Sequence, residues 1–163
     1  MLNPHHSGGR HPGDWGQLVP PRMIAQNGGA HGAELESTLK RMSAIRLGSI
    51  ALDCADPAAL GAFWASLLDG EVAFSNDDFV AVKTDRVWLA ATRVADYRAA
   101  GWPDGDPPKQ MHLDLAVDDP DDAERRAVEL GAVRAEVQPA PDRYLVFLNP
   151  AGHPFCLSTQ IPE

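Results

Sequence analysis

The sequence predicts an α+β fold built from two tandem βαβββ modules. The segments Ser49–Pro57 and His112–Pro120 align at a constant offset of 63 residues, and Leu67 meets Leu130 at the same offset. In both copies an alternating apolar and polar segment leads into an Asp-Pro pair, a run with helical spacing and three short strand-like segments. This shared element order predicts an internal duplication.

The first module begins with an alternating segment over Ile45–Cys54, which predicts a strand. Asp56 can cap a helix whose first position is Pro57, where the missing N–H costs nothing. Asp69-Gly70 is expected to end that helix, with glycine in the left-handed conformation. Three further strands are predicted, over Glu71–Ser75, Phe79–Lys83 and Arg86–Thr92.

The second module repeats this order after a connector over about 95–109 that is rich in Pro, Gly and Asp. Its first strand is predicted over Met111–Val117, its helix starts at Asp119-Pro120 and ends at Gly131. The last three strands are predicted over Val133–Gln138, Tyr144–Leu148 and Phe155–Thr159. The module is thus expected to span about 110–160, and the first module about 44–94.

Composition narrows the class of protein. The chain has 163 residues, 44% of them apolar, and a formal net charge of −9. No run approaches the roughly 18 uncharged apolar residues of a membrane helix, and an acidic chain is a poor partner for nucleic acid. Two cysteines cannot build a disulfide framework. With no secretory signal in view, we expect a cytoplasmic protein with neither a membrane nor a nucleic-acid partner.

Residues 1–41 differ in kind from the rest. They contain seven of the 14 glycines and show no strand alternation, which predicts a disordered extension ahead of a domain over 42–163. Met42 could serve as the natural start. Four histidines lie in this segment, but a solvated leader is preferred over a metal-binding tail. Residues 42–163 contain 10 basic and 20 acidic residues, so the excess of negative charge lies in the domain.

The modules resemble the vicinal oxygen chelate superfamily, in particular its glyoxalase-like and bleomycin-resistance-protein-like subgroup. The resemblance covers about 44–160 and is carried by four segments: Asp56–Trp64, Met111–Asp119, Leu130–Ala132 and Asn149–Leu157. It implies that the strands of each module form half of a cup, giving a barrel-like mixed sheet around a cavity. It also implies a homodimer as a possible assembly.

Members of this superfamily that use a metal take one ligand from the first and last strand of each module. By resemblance the four positions are Ser49, a residue near Thr92, His112 and Cys156, and only His112 carries an expected ligand type. Hydroxyl groups are poor ligands for hard divalent ions. We therefore expect a degenerate metal site and no cofactor. A divalent-metal site is an alternative only if Asp53 or Asp114 supplies a ligand, or if a shifted strand register brings in another residue.

Strand alternation indicates which side chains face away from the helices. Leu113, Leu115 and Val117 share the apolar face, so His112 and Asp114 share the other. Together with the resemblance, this predicts eight residues lining the ligand cavity: Ser49, Asp53, Trp88, Thr92, His112, Asp114, Cys156 and Ser158.

Each candidate has a structural alternative. His112 could contact a ligand or act as a base oriented by Asp114, or it could be a hydrogen-bonded structural histidine beside a surface carboxylate. Cys156 could be a nucleophile or, like Cys54, a small buried filler. Trp88 could stack on a planar ligand or pack in the core.

Two other side chains have only structural interpretations at this stage. Trp64 is expected in the core or on a dimer surface. His153 lies in a Gly-Pro turn and is expected only to shape it.

The leading hypothesis is a protein that binds a small organic molecule in the cup between its modules. The alternative is a lyase, isomerase or dioxygenase-type enzyme, using His112 either with an unconventional metal set or as a metal-free base. A third hypothesis, an interaction module without a ligand, is weaker because polar residues recur on the predicted concave face.

Overall fold

The structure, a computed structural model, describes residues 47–162, of which residues 49–162 belong to one compact unit. The predicted extension over 1–41 and its boundary with the domain lie outside the described residues.

The first module has the predicted element order. It consists of β1 (Ser49–Cys54), α1 (Pro57–Leu67), β2 (Glu71–Ser75), β3 (Phe79–Lys83) and β4 (Trp88–Arg93). The sheet order is β1-β4-β3-β2, with β1 parallel to β4 and the other neighbours antiparallel.

The second module repeats that arrangement. It consists of β5 (Leu113–Ala116), α2 (Pro120–Glu129), β6 (Val133–Arg134), β7 (Tyr144–Leu148) and β8 (Pro154–Ser158). The order β5-β8-β7-β6, again with a parallel first pair, has the same topology as the first sheet. The predicted α+β fold of two tandem βαβββ modules is confirmed.

Both helices begin at the predicted caps. The Asp56 carboxylate accepts a hydrogen bond from the backbone N–H of Ala59, and Asp119 accepts from those of Asp121 and Asp122. These bonds satisfy donors that have no partner within the helix. Neither helix, within the described residues, has the length and apolar character needed to cross a membrane.

The end of α1 differs in detail from the prediction. Asp69, rather than Gly70, takes the left-handed conformation, with φ 49°. Gly70 serves a different purpose, because a Cβ there would lie 2.8 Å from the backbone oxygen of Lys83. At the end of α2, Gly131 has φ 102°, as expected of a terminating glycine.

Strand β6 is shorter than the predicted strand over Val133–Gln138. The Gln138 side chain donates to the backbone oxygens of Ala135 (2.9 Å) and Val146 (2.8 Å), and it accepts from the N–H of Val146 (2.8 Å). This amide takes the place of backbone pairing beside β7, so the ladder ends early although the backbone groups stay satisfied.

One hydrophobic core extends through both modules. Phe63 and Trp64 on α1 lie with ring centroids 5.8 and 5.5 Å from Phe155 on β8, and Phe147 on β7 lies 5.8 Å from Phe155. All four side chains are buried. The helix of the first module therefore packs on a strand of the second, which joins the modules into one unit.

An ion pair on the surface also links the modules. The Arg126 guanidinium of α2 lies 2.5 Å from the Asp69 carboxylate and 2.5 Å from the Ser66 backbone oxygen, at the end of α1. This contact lowers the pKa of Asp69, through hydrogen bonding and charge.

We expect Phe155→Ala to lower the free energy of unfolding by about 3–5 kcal/mol, because it leaves a cavity among three other aromatic rings. Val137→Ala, at an exposed position, serves as the control and should change it by less than about 0.5 kcal/mol. Urea unfolding measures both. Equal effects of the two substitutions would contradict a core centred on Phe155.

Candidate functional site

The face of the first sheet that points away from α1 carries four of the predicted residues. Ser49 pairs with Trp88 and Asp53 with Thr92 across β1 and β4, so these four share that face. Asp53 is exposed, Ser49 and Trp88 are half-buried, and Thr92 is buried. Between these four residues the same face of the sheet carries small side chains, with Ala51 opposite Ala90.

The corresponding face of the second sheet carries the other four. Asp114 pairs with Cys156 and Ala116 with Ser158. Ser158 is buried, donating to the Arg143 backbone oxygen (3.1 Å) and accepting from the Gln160 N–H (3.1 Å). It therefore has a structural role in the strand end.

The connector covers part of this second face. Trp102 packs against a small cluster made by Ala135, Val146 and Cys156. Its indole nitrogen donates to the Val137 backbone oxygen over 2.9 Å. A segment that sequence reasoning assigned only a linking role thus forms a wall of the site.

His112 lies in a hydrogen-bonded network. Its Nε2 is 3.2 Å from Oδ1 of Asp114, and its Nδ1 is 3.3 Å from Nζ of Lys109. Because an ammonium group can only donate, Nδ1 accepts and Nε2 carries the proton that faces Asp114. The Lys109 ammonium also lies 5.0 Å from the centre of the Trp102 ring. Both imidazole nitrogens are therefore engaged by the protein.

The two cysteines are buried thiols. Burial, together with a hydrogen bond to Asp114, raises the pKa of Cys156 to about 12, and burial raises that of Cys54 to about 11. Since the thiolate is the reactive form, both side chains are protonated near neutral pH and behave as small fillers. This geometry gives no support to Cys156 as a nucleophile.

A cleft lies where the first strands of the two modules come together. It encloses about 290 Å³ and is lined by β1, α1, the connector, the approach to β5 and the turn before β8. Asp53 and His112 are the two predicted cavity residues on its wall. The other lining residues are mostly apolar, with a few polar groups: Ala51, Leu52, Trp64, Tyr97, Arg98, Ala100, Pro107, Pro108, Gln110, Met111, Leu113, Asn149, His153 and Pro154.

His153 and Tyr97 form a second network on this wall. The Tyr97 hydroxyl lies 3.1 Å from Nε2 of His153 and donates to the Ala151 backbone oxygen (2.8 Å). The Asn149 amide nitrogen is 3.3 Å from Nδ1 of His153. Burial lowers the pKa of His153, although the nearby Asp53 carboxylate acts in the opposite direction. His153 therefore joins the turn to the connector as well as shaping the turn.

Two buried side-chain polar atoms among the described residues have no hydrogen-bond partner, Oγ of Ser49 and Nε1 of Trp64. Trp64 is 2% exposed and lies on the wall of the cleft. Unpaired donors at such depth are uncommon.

The family model described as Glyoxalase-like domain matches residues 49–158. The chain belongs to this family. No curated protein sequence matches it significantly.

Solved structures share the fold at low identity. The fosfomycin resistance protein FosX from Mesorhizobium loti is 16% identical, with a TM-score of 0.56, covering 73% of this chain and 94% of that one. A FosX variant from Listeria monocytogenes, complexed with Mn(II) and dihydroxypropylphosphonic acid, is 15% identical, with a TM-score of 0.56 and coverages of 73% and 93%. A glyoxalase-related enzyme from Fulvimarina pelagi is 18% identical, with a TM-score of 0.52 and coverages of 69% and 86%.

The strand register tests whether the chain's residues fit a metal centre shared by both modules. Asp114 pairs with Cys156 and Ala51 pairs with Ala90. The offset of 63 residues equates Asp114 with Ala51, so the counterpart of Cys156 is Ala90. By strand register this counterpart lies two residues before Thr92, the position near which the resemblance placed it.

These four positions do not fit a centre for a hard divalent ion. Ala90 has no donor atom, and Ser49 offers only a neutral hydroxyl. In the second module, however, one donor atom each of His112, Asp114 and Cys156 lie within 4.8 Å of one another. This group could hold a metal with three ligands, all from one module.

Sequence reasoning missed several residues of the site. Tyr97, Trp102 and Lys109 lie in the connector, where aromatic and basic side chains among Pro and Gly were the one available signal. Trp64 was expected in the core, which is right for its ring but does not account for its position on the cleft wall.

We expect wild-type stability to fall as pH is lowered from about 7.5 to about 5.5, partly because the unfolded chain binds a proton that buried His153 resists. Because the pKa of His153 is lowered in the folded state, this loss of stability begins only when the pH falls below the pKa that His153 has in the unfolded chain. His153→Gln should therefore show a smaller loss over this range. Urea midpoints at both pH values measure it, and an unchanged pH dependence would contradict the burial argument.

Proposed function

We propose that the chain binds a compact organic molecule in the cleft between its two modules, without a metal of the kind that bridges them. The observation that carries the proposal is the cleft itself, a mostly apolar space of about 290 Å³ with a few polar groups. Such a composition is typical of small-molecule sites, although the volume is near the lower end of their range.

The state of His112 supports binding over acid–base catalysis. A general base needs a nitrogen free to reach the substrate proton. Here Lys109 faces Nδ1 and Asp114 faces Nε2. In this arrangement Lys109 occupies the Nδ1 lone pair, which favours a role in binding for His112.

A ligand-observed NMR screen of small fragments tests this proposal. Ala51→Leu places a larger side chain in the cleft, whereas Ala62→Leu makes the same change at an exposed position of α1 that does not line the cleft. We expect fragments that bind wild type and Ala62→Leu but bind Ala51→Leu at least about tenfold more weakly, since overlap with a bound molecule is not tolerated. Fragments that bind Ala51→Leu with the same affinity as wild type would overturn the proposal.

A second candidate function is favoured by one specific observation, the proximity of donor atoms of His112, Asp114 and Cys156. A thiolate and an imidazole suit zinc better than manganese or magnesium. A metal at this group would occupy one module alone. This would make the chain a metalloprotein with an unconventional ligand set.

Cobalt(II) titration separates the two candidates. If Cys156 ligates a metal, cobalt should give a thiolate-to-metal absorption band that is lost in Cys156→Ala and kept in Cys54→Ala. For the metal-independent proposal we expect no such band and no stoichiometric metal by elemental analysis. A band that depends on Cys156 would establish the second candidate in its place.

A further inference from the structure

The acidic side chain on the described wall of the cleft is Asp53, near the end of β1. It is exposed, so molecules that enter from solvent can reach it. The ion pairs and side-chain hydrogen bonds among the described residues do not include its carboxylate. A bound group could therefore pair with Asp53 without displacing a partner from that part of the protein.

The charge of Asp53 acts on two other side chains of the same wall. Burial is the largest cause of the raised pKa of the Tyr97 hydroxyl, and the Asp53 carboxylate adds to it. Burial lowers the pKa of His153, and the same carboxylate opposes that change. Because Coulomb interactions weaken with distance, the Asp53 carboxylate lies near the part of the cleft that Tyr97 and His153 line.

The basic side chains of the wall do not neutralise Asp53. Arg98 is 67% exposed and faces Asp106 at 3.6 Å, so its charge already has an acidic neighbour outside the wall. The lowered pKa of His153 leaves its imidazole neutral near pH 7. The wall therefore presents a negative charge that no basic group on it cancels.

The cation nearest to His112 belongs to a different network. The Lys109 ammonium lies 3.3 Å from Nδ1 of His112, whose Nε2 is 3.2 Å from the Asp114 carboxylate. Lys109 is not among the described residues that line the cleft. This network thus contains a carboxylate of its own for Lys109.

We infer that the cleft binds a compact organic cation, an amine on a small apolar body, whose ammonium group pairs with Asp53. The inference rests on the proposed function, since it names the ligand class of the same cleft. Leu52 and Leu113 provide apolar contacts for the body of the ligand. The excess of acidic over basic residues in the chain also favours the approach of a cation over that of an anion.

Benzylammonium, ethylbenzene and benzoate are suitable probes. The first two have similar shapes and differ in an ammonium group against a methyl group, while benzoate carries the opposite charge. Ligand-observed NMR titrations give the affinity of each. We expect benzoate to bind more weakly than benzylammonium. Added salt should weaken benzylammonium binding more in wild type than in Asp53→Asn, because salt screens the ion pair.

Asp53→Asn removes the charge and keeps the shape of the side chain. We expect it to weaken benzylammonium binding about two- to fivefold, the range of an ion pair that stays in contact with water, and to leave ethylbenzene binding unchanged. Asp118→Asn is the matched control, because Asp118 is also exposed but does not line the cleft. This control lowers the net negative charge equally and should change the binding of neither probe.

The failures of the two proposals are distinguishable. If benzylammonium does not bind wild type, or if Asp53→Asn weakens it no more than Asp118→Asn does, the cation inference is overturned while ethylbenzene still tests binding in the cleft. Tighter binding of benzoate than of benzylammonium, lost in Arg98→Gln, would overturn it in favour of an anion. If probes bind Ala51→Leu as tightly as wild type, the cleft is not their site, and both proposals are overturned.

Discussion

The packing of the α1 aromatic rings on β8 is the interaction on which the rest of the site depends. Trp64 and Phe63 belong to the first module and Phe155 to the second, yet their rings lie 5.5–5.8 Å apart in one buried cluster. The sheets themselves are separate, with β1 and β5 belonging to different hydrogen-bonded ladders. Side-chain packing, and not backbone pairing, therefore holds the first strands close enough to share a cleft.

That arrangement gives Trp64 two roles with opposite energetic signs. Its ring contributes apolar burial and edge-on contacts with Phe63 and Phe155. Its N–H, buried without a partner among the described residues, costs about 1–3 kcal/mol.

The fold was predictable from local signals and the site was not. Asp56-Pro57 and Asp119-Pro120 act within one helical turn, and β2, β3 and β7 have the predicted bounds because alternation is also local. Trp102 and Tyr97 act across long sequence separations, as in their bonds to the Val137 and Ala151 backbone oxygens. No periodicity encodes such contacts. The register that makes Ala90 the counterpart of Cys156 was likewise not available from the sequence, because it depends on how β1 and β4 pair.

The two modules have diverged in what their equivalent positions carry. At the offset of 63 residues, Ser49 corresponds to His112 and Ala51 to Asp114, and the strand pairs add Ala90 as the counterpart of Cys156. The first module thus presents small side chains at these positions, and the second presents a partly exposed polar network in contact with Lys109. A metal shared by both modules would need donors on both. At these equivalent positions the imidazole, the carboxylate and the thiol lie in the second module alone, and the first module brings a carboxylate to the cleft from a different position, Asp53 on β1.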